Sequence, residues 1–367
     1  MKLGEICELI TKGTTPKQFL DNGIRYIKIE AFEENYINIE KCVFIDEQIH
    51  NTELKRSILK ENDILFAIAG ATIGKVNIVN KSLLPANTNQ ALAIIRLKDT
   101  ENRDYILQIL KSQIMQRYIK KSISVGAQPN LNLAQINNFS FPYPSFSEQE
   151  KIANIFSLID ERIQAQIKII EKYESLIKGI NERLFSQKIR FKNSNGENFP
   201  IWKSKKLGEI STITTGSSNR EDSILDGEFI FFDRSQDIRT SNRYLFDKEA
   251  IIIPGEGQVF KPKYYTGKFD LHQRTYAIFD FVGGMGKYLY YYVSYEDKYL
   301  QSQAVGSTVK SLRLPMFQSM PIKLPCIEEQ ALITNFLSHI EEKIKTEKQF
   351  LNKLENQKQY LLQQMFI

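Results

Sequence analysis

The chain has 367 residues and 42.6 kDa, with 49 Lys and Arg against 43 Asp and Glu, a size that predicts two or three domains with cores of their own. At 42% hydrophobic and 25% charged, the composition excludes wholesale disorder and fibrous classes, and no apolar run nears the ~20 residues that span a bilayer. Cys7, Cys42 and Cys326 lie far apart, which excludes a disulfide framework, and residues 1–5 lack the apolar core of a signal peptide, so a reducing cytoplasm is the expected location.

Residues 2–6 read Lys-Leu-Gly-Glu-Ile and return unchanged at 206–210. Strand-like runs follow at 26–29, 63–68 and 91–95, separated by Gly and Asn turns. Residues 104–121 read as a helix that runs into a loop at Gly126. After Pro142 and Pro144, Ser147 with Glu150 makes a capping box that starts a long helix. Its apolar residues Ile152, Phe156, Ile159, Ile163, Ile170, Tyr173, Ile177, Ile180 and Leu184 recur in steps of four and three, the heptad seam of a coiled coil. About 40 residues at a 1.5 Å rise give such a helix a length of ~60 Å.

The second half repeats the order. Strands are expected at 229–232, 251–253 and 275–279, and a helix at 286–303 before a loop at Gly306. Residues 329–344 then restate 148–163, and Ile333, Leu337, Ile340, Ile344, Leu351, Leu354, Leu361 and Met365 continue the heptad frame. Gln166 and Glu347 interrupt the two seams at one repeat position, and Lys358 interrupts the second again. Local solvent exposure is the expected reason, with fixing of helix register as the sharper alternative. The fold class expected is α+β: two mixed α/β domains at 1–145 and 191–325, with long helices at 146–190 and 326–367. If the second domain is compact with its ends close together, the helices run antiparallel, Ile367 ends near Met1, and a pseudo-two-fold axis relates the halves. The net charge is +3 on each globular segment, +1 on the first helix and −1 on the second.

The sequence offers little for catalysis or metal binding. His50, His272 and His339 occur singly, without ligand spacing. Residues 70–76, Gly-Ala-Thr-Ile-Gly-Lys-Val, are one residue short between the glycines of a phosphate loop and carry Val76 where a hydroxyl is needed, so they read as a structural turn. The loops instead suit DNA, where Asn and Gln read adenine, Arg and Lys read guanine, and Lys, Ser and Thr hold phosphates. In the first copy the candidates are Thr14, Thr15, Lys17, Thr72, Lys75, Asn89, Gln90 and Gln128. In the second they are Ser217, Ser218, Asn219, Arg220, Lys261, Lys263, His272, Gln273, Arg274, Ser307 and Thr308. Any one polar loop residue is commonly only a loop residue; recurrence at matching places in both copies is what singles out these sets.

The opening Lys-Leu-Gly-Glu-Ile, residues 70–75 and 126–132, and the stretch from Pro254 to Thr275 resemble target-recognition domains. The helices beginning Glu-Gln-x-x-Ile resemble the spacer helices of the same family, the specificity subunits of type I DNA restriction-modification systems. The resemblance covers the whole chain and implies that each domain reads one half of a bipartite double-stranded DNA target. It implies that the helices set the spacer and dock two modification (methyltransferase) subunits, with restriction (translocase/nuclease) subunits in the full enzyme. The chain itself would be non-catalytic, with S-adenosylmethionine, Mg²⁺ and ATP on those partners. The second copy has Gly-Glu-Gly-Gln-Val-Phe-Lys in place of the 70–75 loop, so the half-sites should differ. A specificity subunit of another restriction architecture, a solitary exchangeable one, and a coiled-coil adaptor that does not bind DNA remain the alternatives.

Overall fold

The computed structural model of the chain describes residues 1–33, 36–123, 130–235 and 237–366. Two compact units emerge: Met1–Lys168 with Lys348–Ile367, and Ile169–Glu347. The long helices are Phe146–Phe185 and Ile327–Gln364, and each unit takes in part of both. No helix among the described residues is long and apolar enough to cross a membrane, and no three His, Cys, Asp or Glu among them stand together to hold a metal ion.

In the first unit an antiparallel sheet runs in the order Cys7–Lys12, Leu92–Leu97, Ile64–Ala67, Val76–Ile78. Its central strand is buried on both faces. Ile64 and Phe66 pack with Tyr105, Ile109 and Phe156, while Leu65 and Ala67 pack with Ile27 and Leu83. Two-sided burial is why this strand reads as an unbroken apolar run instead of an alternating one. A second sheet joins Val43–Ile45, Ile24–Ile27 and Ala86–Thr88, the last pair parallel.

The second unit has one six-stranded sheet: Arg239–Ser241, Phe229–Phe232, Lys263–Leu271, Phe246–Pro254, Thr275–Phe279, Thr212–Thr215. Here the single strand Lys263–Leu271 does the work of two in the first unit. Its start pairs antiparallel with Phe246–Pro254, as Val76–Ile78 does with Ile64–Ala67. Its end pairs parallel with Phe229–Phe232, as Ala86–Thr88 does with Ile24–Ile27. The shorter second copy therefore keeps the pairing order while losing the connection between the two sheets, the helix Glu47–Asn51 and part of the loops around it.

Two repeated motifs acquire physical reasons. In each Lys-Leu-Gly-Glu-Ile, the Glu carboxylate accepts the Lys backbone N–H (Glu5 from Lys2, 2.7 Å; Glu209 from Lys206, 3.0 Å), and the Leu is fully buried. In each Glu-Gln, the Gln is buried and its Nε2 donates to a proline carbonyl just before the helix: Gln149 to Pro144 at 3.0 Å, Gln330 to Pro325 at 2.9 Å. The first long helix begins at Phe146, with the Glu148 and Gln149 N–H groups on the Ser145 carbonyl. Ser147 is therefore inside the first turn and exposed, not at the cap as expected. The helices expected at 104–121 and 286–303 are each two, Arg103–Lys111 with Gln113–Ser122 and Gly286–Tyr295 with Asp297–Gln303. In the first break, the Ser112 hydroxyl donates to the Ile109 carbonyl (2.7 Å) and accepts from the Ile114 N–H (3.3 Å), which ends one helix and starts the next.

Along the helices, Phe156, Ile163, Ile170, Leu184, Ile333, Leu337 and Leu354 are buried, and Ile152, Ile159, Tyr173, Ile177, Ile180, Ile340, Ile344, Leu351, Leu361 and Met365 are half-buried. At the C-terminal end the buried stripe widens to Leu362 and Phe366, because there the helix also meets the globular core. Within the first unit the paired segments run antiparallel: Phe156 stacks on Phe366, ring centres 5.8 Å apart, and Asp160 meets Lys358. Ile367 lies outside the described residues; its neighbour Phe366 shares a core with Leu3 and Ile6.

The polar seam residues are not solvent-exposed as expected. Gln166 and Lys358 are 5% and 6% exposed, and the side chain of Glu347, half-buried, pairs with Lys343 at 2.7 Å. The Lys358 ammonium meets the Asp160 carboxylate at 2.5 Å. Lys358→Met should cost about 1–2 kcal/mol by thermal unfolding, less than for a fully buried pair because Asp160 keeps some water. Adding Asp160→Leu should restore the wild-type midpoint or better. A double variant no more stable than the single one would contradict this.

Candidate nucleic-acid interface

The register of the sheets gathers the candidate loops. Lys12 pairs with Ala93 and Ala67 with Leu92, so the loops at 13–17, 68–75 and 89–91 leave the sheet at one end. Thr215 pairs with Tyr276 and Pro254 with Thr275, so the loops at 216–220, 255–262 and 272–274 do the same in the second unit. Two backbone bonds fix the correspondence. Ile68 N donates to the Ala91 carbonyl (2.9 Å) and Leu131 N to the Ile68 carbonyl (2.8 Å); Gly255 N donates to the Arg274 carbonyl (2.9 Å) and Leu312 N to the Gly255 carbonyl (2.8 Å). Ala69 thus matches Glu256, and Ala91 matches Arg274.

The loops after the edge strands cross close to the returning chain. A Cβ on Gly13 would lie 1.8 Å from the Thr88 carbonyl oxygen, and one on Gly216 would lie 1.7 Å from that of Leu271. Only glycine allows this approach. It brings Thr15 onto Gln90, side chain to side chain, and Asn219 onto Gln273, whose Nε2 donates to Asn219 Oδ1 at 2.5 Å.

In the first unit Thr14, Thr15, Lys17, Lys75 and Gln90 are exposed, while Thr72 and Asn89 are half-buried. Asn89 Oδ1 accepts the Ala91 N–H at 3.2 Å. Gln128 lies outside the described residues. In the second unit Ser217, Asn219, Arg220, Lys261, Gln273, Arg274, Ser307 and Thr308 are exposed. The Glu256–Ser311 pairing and a hydrogen bond from Gln258 Nε2 to the Thr308 carbonyl (3.1 Å) place the 307–308 turn beside residues 256–258.

Three candidates face inward, which corrects their expected place at the surface. Ser218 is fully buried; its hydroxyl donates to Asp270 Oδ1 (2.5 Å) and accepts from Arg243 Nη2 (2.6 Å). His272 is 6% exposed, and its Nδ1 accepts the Arg274 backbone N–H at 3.0 Å. Burial, then the nearby Arg234 charge, holds its pKa below the usual histidine value, which keeps Nδ1 available as an acceptor. Lys263 is half-buried, and its ammonium donates to the Ser235 carbonyl at 2.8 Å. A buried polar group must find a protein partner, and each of these three commits at least one polar atom to shaping the loops.

One arrangement has no signal in the local sequence. The Glu256 carboxylate holds two guanidiniums, Arg274 Nη1 at 2.9 and 3.1 Å and Arg234 Nη1 at 2.8 Å. Burial opposes ionisation of Glu256, but the hydrogen bonds and charges of Arg274 and Arg234 outweigh it and hold its carboxyl below the usual range. These arginines, with Asn219, Arg220, Glu221, His272 and Gln273, border a cleft of about 440 Å³. Arg234 arrives through the parallel pairing of Phe229–Phe232 with residues 269–271, a contact between segments some 40 residues apart.

The profile of the family described as "Type I restriction modification DNA specificity domain" matches residues 1–172 and 201–356. A putative type I restriction enzyme specificity subunit (MjaX) of Methanocaldococcus jannaschii is 25% identical over 388 aligned residues, covering 98% of this chain and 91% of that protein. The EcoDI specificity subunit of Escherichia coli is 29% identical over 153 residues, 42% of this chain and 34% of its own length. The fold is similar to that of a crystallised type I restriction-modification S subunit from M. genitalium. That comparison gives a TM-score of 0.60 at 16% identity and covers 100% of this chain and 95% of the other.

Proposed function

The chain belongs to the type I restriction-modification DNA specificity family, and from that membership we propose that each compact unit reads one half of a bipartite duplex target with its loop end. The chain supplies DNA sequence specificity to its system; the assignment of loops to half-sites is our reading. The observation that carries it is the twofold construction of one loop end, with the same glycine crossing and the same backbone bonds at 68/91 and 255/274. Two readers of one design suit a target with two separated halves, because B-DNA presents the same face about every 34 Å.

On this reading the long helices fix the spacer and carry two modification subunits, and restriction subunits join the full assembly. S-adenosylmethionine, Mg²⁺ and ATP serve those partners. The exposed members of the loop sets contact DNA, and Ser218, His272 and Lys263 position them.

The experiment is to delete one heptad from each long helix, co-express the chain with its modification subunit, and map methylated bases genome-wide. Both half-site sequences should persist with a changed spacer between them. An unchanged spacer would refute the role of the helices, and a wild-type map without a bipartite motif would refute the reading itself.

A further inference from the structure

We propose that Arg274, supported by Arg234, reads a guanine in the half-site bound by the second unit; the inference rests on the DNA-reading function proposed above. Arg274 is held at two points on its backbone and at one group on its side chain. Its carbonyl accepts the Gly255 N–H (2.9 Å), its N–H donates to His272 Nδ1 (3.0 Å), and its Nη1 sits on both oxygens of Glu256. Its side chain is nonetheless 54% exposed, against 22% for Glu256. Among the described residues no protein partner takes Nε or Nη2, so that fork of two parallel donors is free to meet guanine O6 and N7. A side chain already ordered loses little entropy on binding.

The electrostatics favour a base edge over a phosphate. Two guanidiniums share one carboxylate, so the three groups carry a single net positive charge. Glu256 also sets a negative charge within 3 Å of both cations. That arrangement is poor for collecting phosphates, which gain from unopposed cations. It suits orienting a donor fork toward uncharged acceptors.

The first unit shows that the fold does not need these groups. Ala91 stands in the place of Arg274 and Ala69 in that of Glu256. Because Ile27 pairs with Thr88 as Phe232 pairs with Leu271, Ile29 stands in the place of Arg234. All three members are replaced together by apolar residues while the surrounding backbone bonds remain. The neighbouring Gln90 and Gln273 are the same residue in both units. A set that comes and goes as a whole on a constant scaffold is a specificity element.

The test compares genome-wide methylation maps for the wild-type chain and Arg274→Ala, each with the modification subunit. One G·C position in one half-site should relax, with discrimination there falling on the order of 10- to 100-fold. The unchanged other half serves as the control for folding. Glu256→Gln should relax the same position less. As a measurement that needs no variant, 7-deazaguanine at that position should weaken binding by the wild-type complex, on the order of 10-fold. Uniformly weaker modification without relaxation would make Arg274 a phosphate contact and overturn the proposal. So would an unaltered map, or insensitivity to 7-deazaguanine at every guanine of that half. A wild-type chain without any bipartite motif would instead refute the function on which the proposal rests.

Discussion

Glu329→Ala is expected to destabilise the second unit by about 2–4 kcal/mol, the cost of breaking an ion pair whose Arg190 keeps some water plus that of leaving a buried indole N–H without an acceptor. Glu329 is fully buried and accepts from Arg190 Nε (3.0 Å), Arg190 Nη2 (2.7 Å) and Trp202 Nε1 (2.9 Å). Alanine leaves the guanidinium without its counter-charge and the indole N–H without an acceptor. Both losses fall on the folded state alone, since water serves all three groups when the chain unfolds. Glu329→Gln keeps one acceptor and should cost less. The chain has one tryptophan, and it is a member of this cluster, so urea unfolding followed by Trp202 fluorescence reports on the second unit. The internal repeat supplies a control. Glu148, at the matching place in the first copy, is exposed, and Glu148→Ala should fall within about 0.5 kcal/mol of wild type. Equal effects at the two positions would refute the argument.

That contrast shows what the sequence could carry. Glu148 and Glu329 open the same motif, and periodicity places both at the start of a long helix. Burial differs because Arg190 and Trp202 close over only one of them, and no local pattern announces a partner 127 or 139 residues away. The same holds across the fold. The two-sided strands at 64–67 and 251–253 are legible because two-sided burial demands continuous apolar runs. The heptad seams are legible because their period is covalent. The break at Ser112 is not, since Ile109, Leu110 and Met115 keep an apolar face through it and only the serine hydroxyl redirects the backbone. Lys358 looks like a defect in a seam until Asp160 is placed opposite it.

The candidate interface divides in the same way. Its loops are legible as sets, because small hydroxyls, amides and lysines recur near glycines at matching places in both copies. Individual roles are not. Ser217 and Ser218 are identical in sequence terms, yet one faces solvent while the other is sealed against Asp270 and Arg243. Arg234 joins Arg274 only through strand register, which no local sequence pattern specifies.

Gly13→Ala and Gly216→Ala are the functional counterpart, each expected to disable one half-site and lower modification by the assembled system on the order of 100-fold. Neither glycine has a positive φ, so the demand is spatial, not dihedral. An added methyl would sit 1.8 Å from the Thr88 carbonyl oxygen, or 1.7 Å from that of Leu271. Real contacts need about 3 Å, and the obstructing atom is backbone inside a parallel strand pair, so the loop must move. Displacement by more than an ångström separates Thr15 from Gln90 in one unit and Asn219 from Gln273 in the other. On the proposed reading of the loops, losing two base contacts at about 1–3 kcal/mol each would account for the size of the loss. Stability should fall by about 1–3 kcal/mol, a cost limited because an exposed loop can yield. Gly179→Ala is the comparison for stability: nothing lies within 4 Å of its Cβ position on the first long helix, and the change should stabilise by about 0.5–1 kcal/mol. If both loop variants modify DNA as wild type does, residues 14–17 and 217–220 do not face the target, and the loop ends are not the reading surfaces.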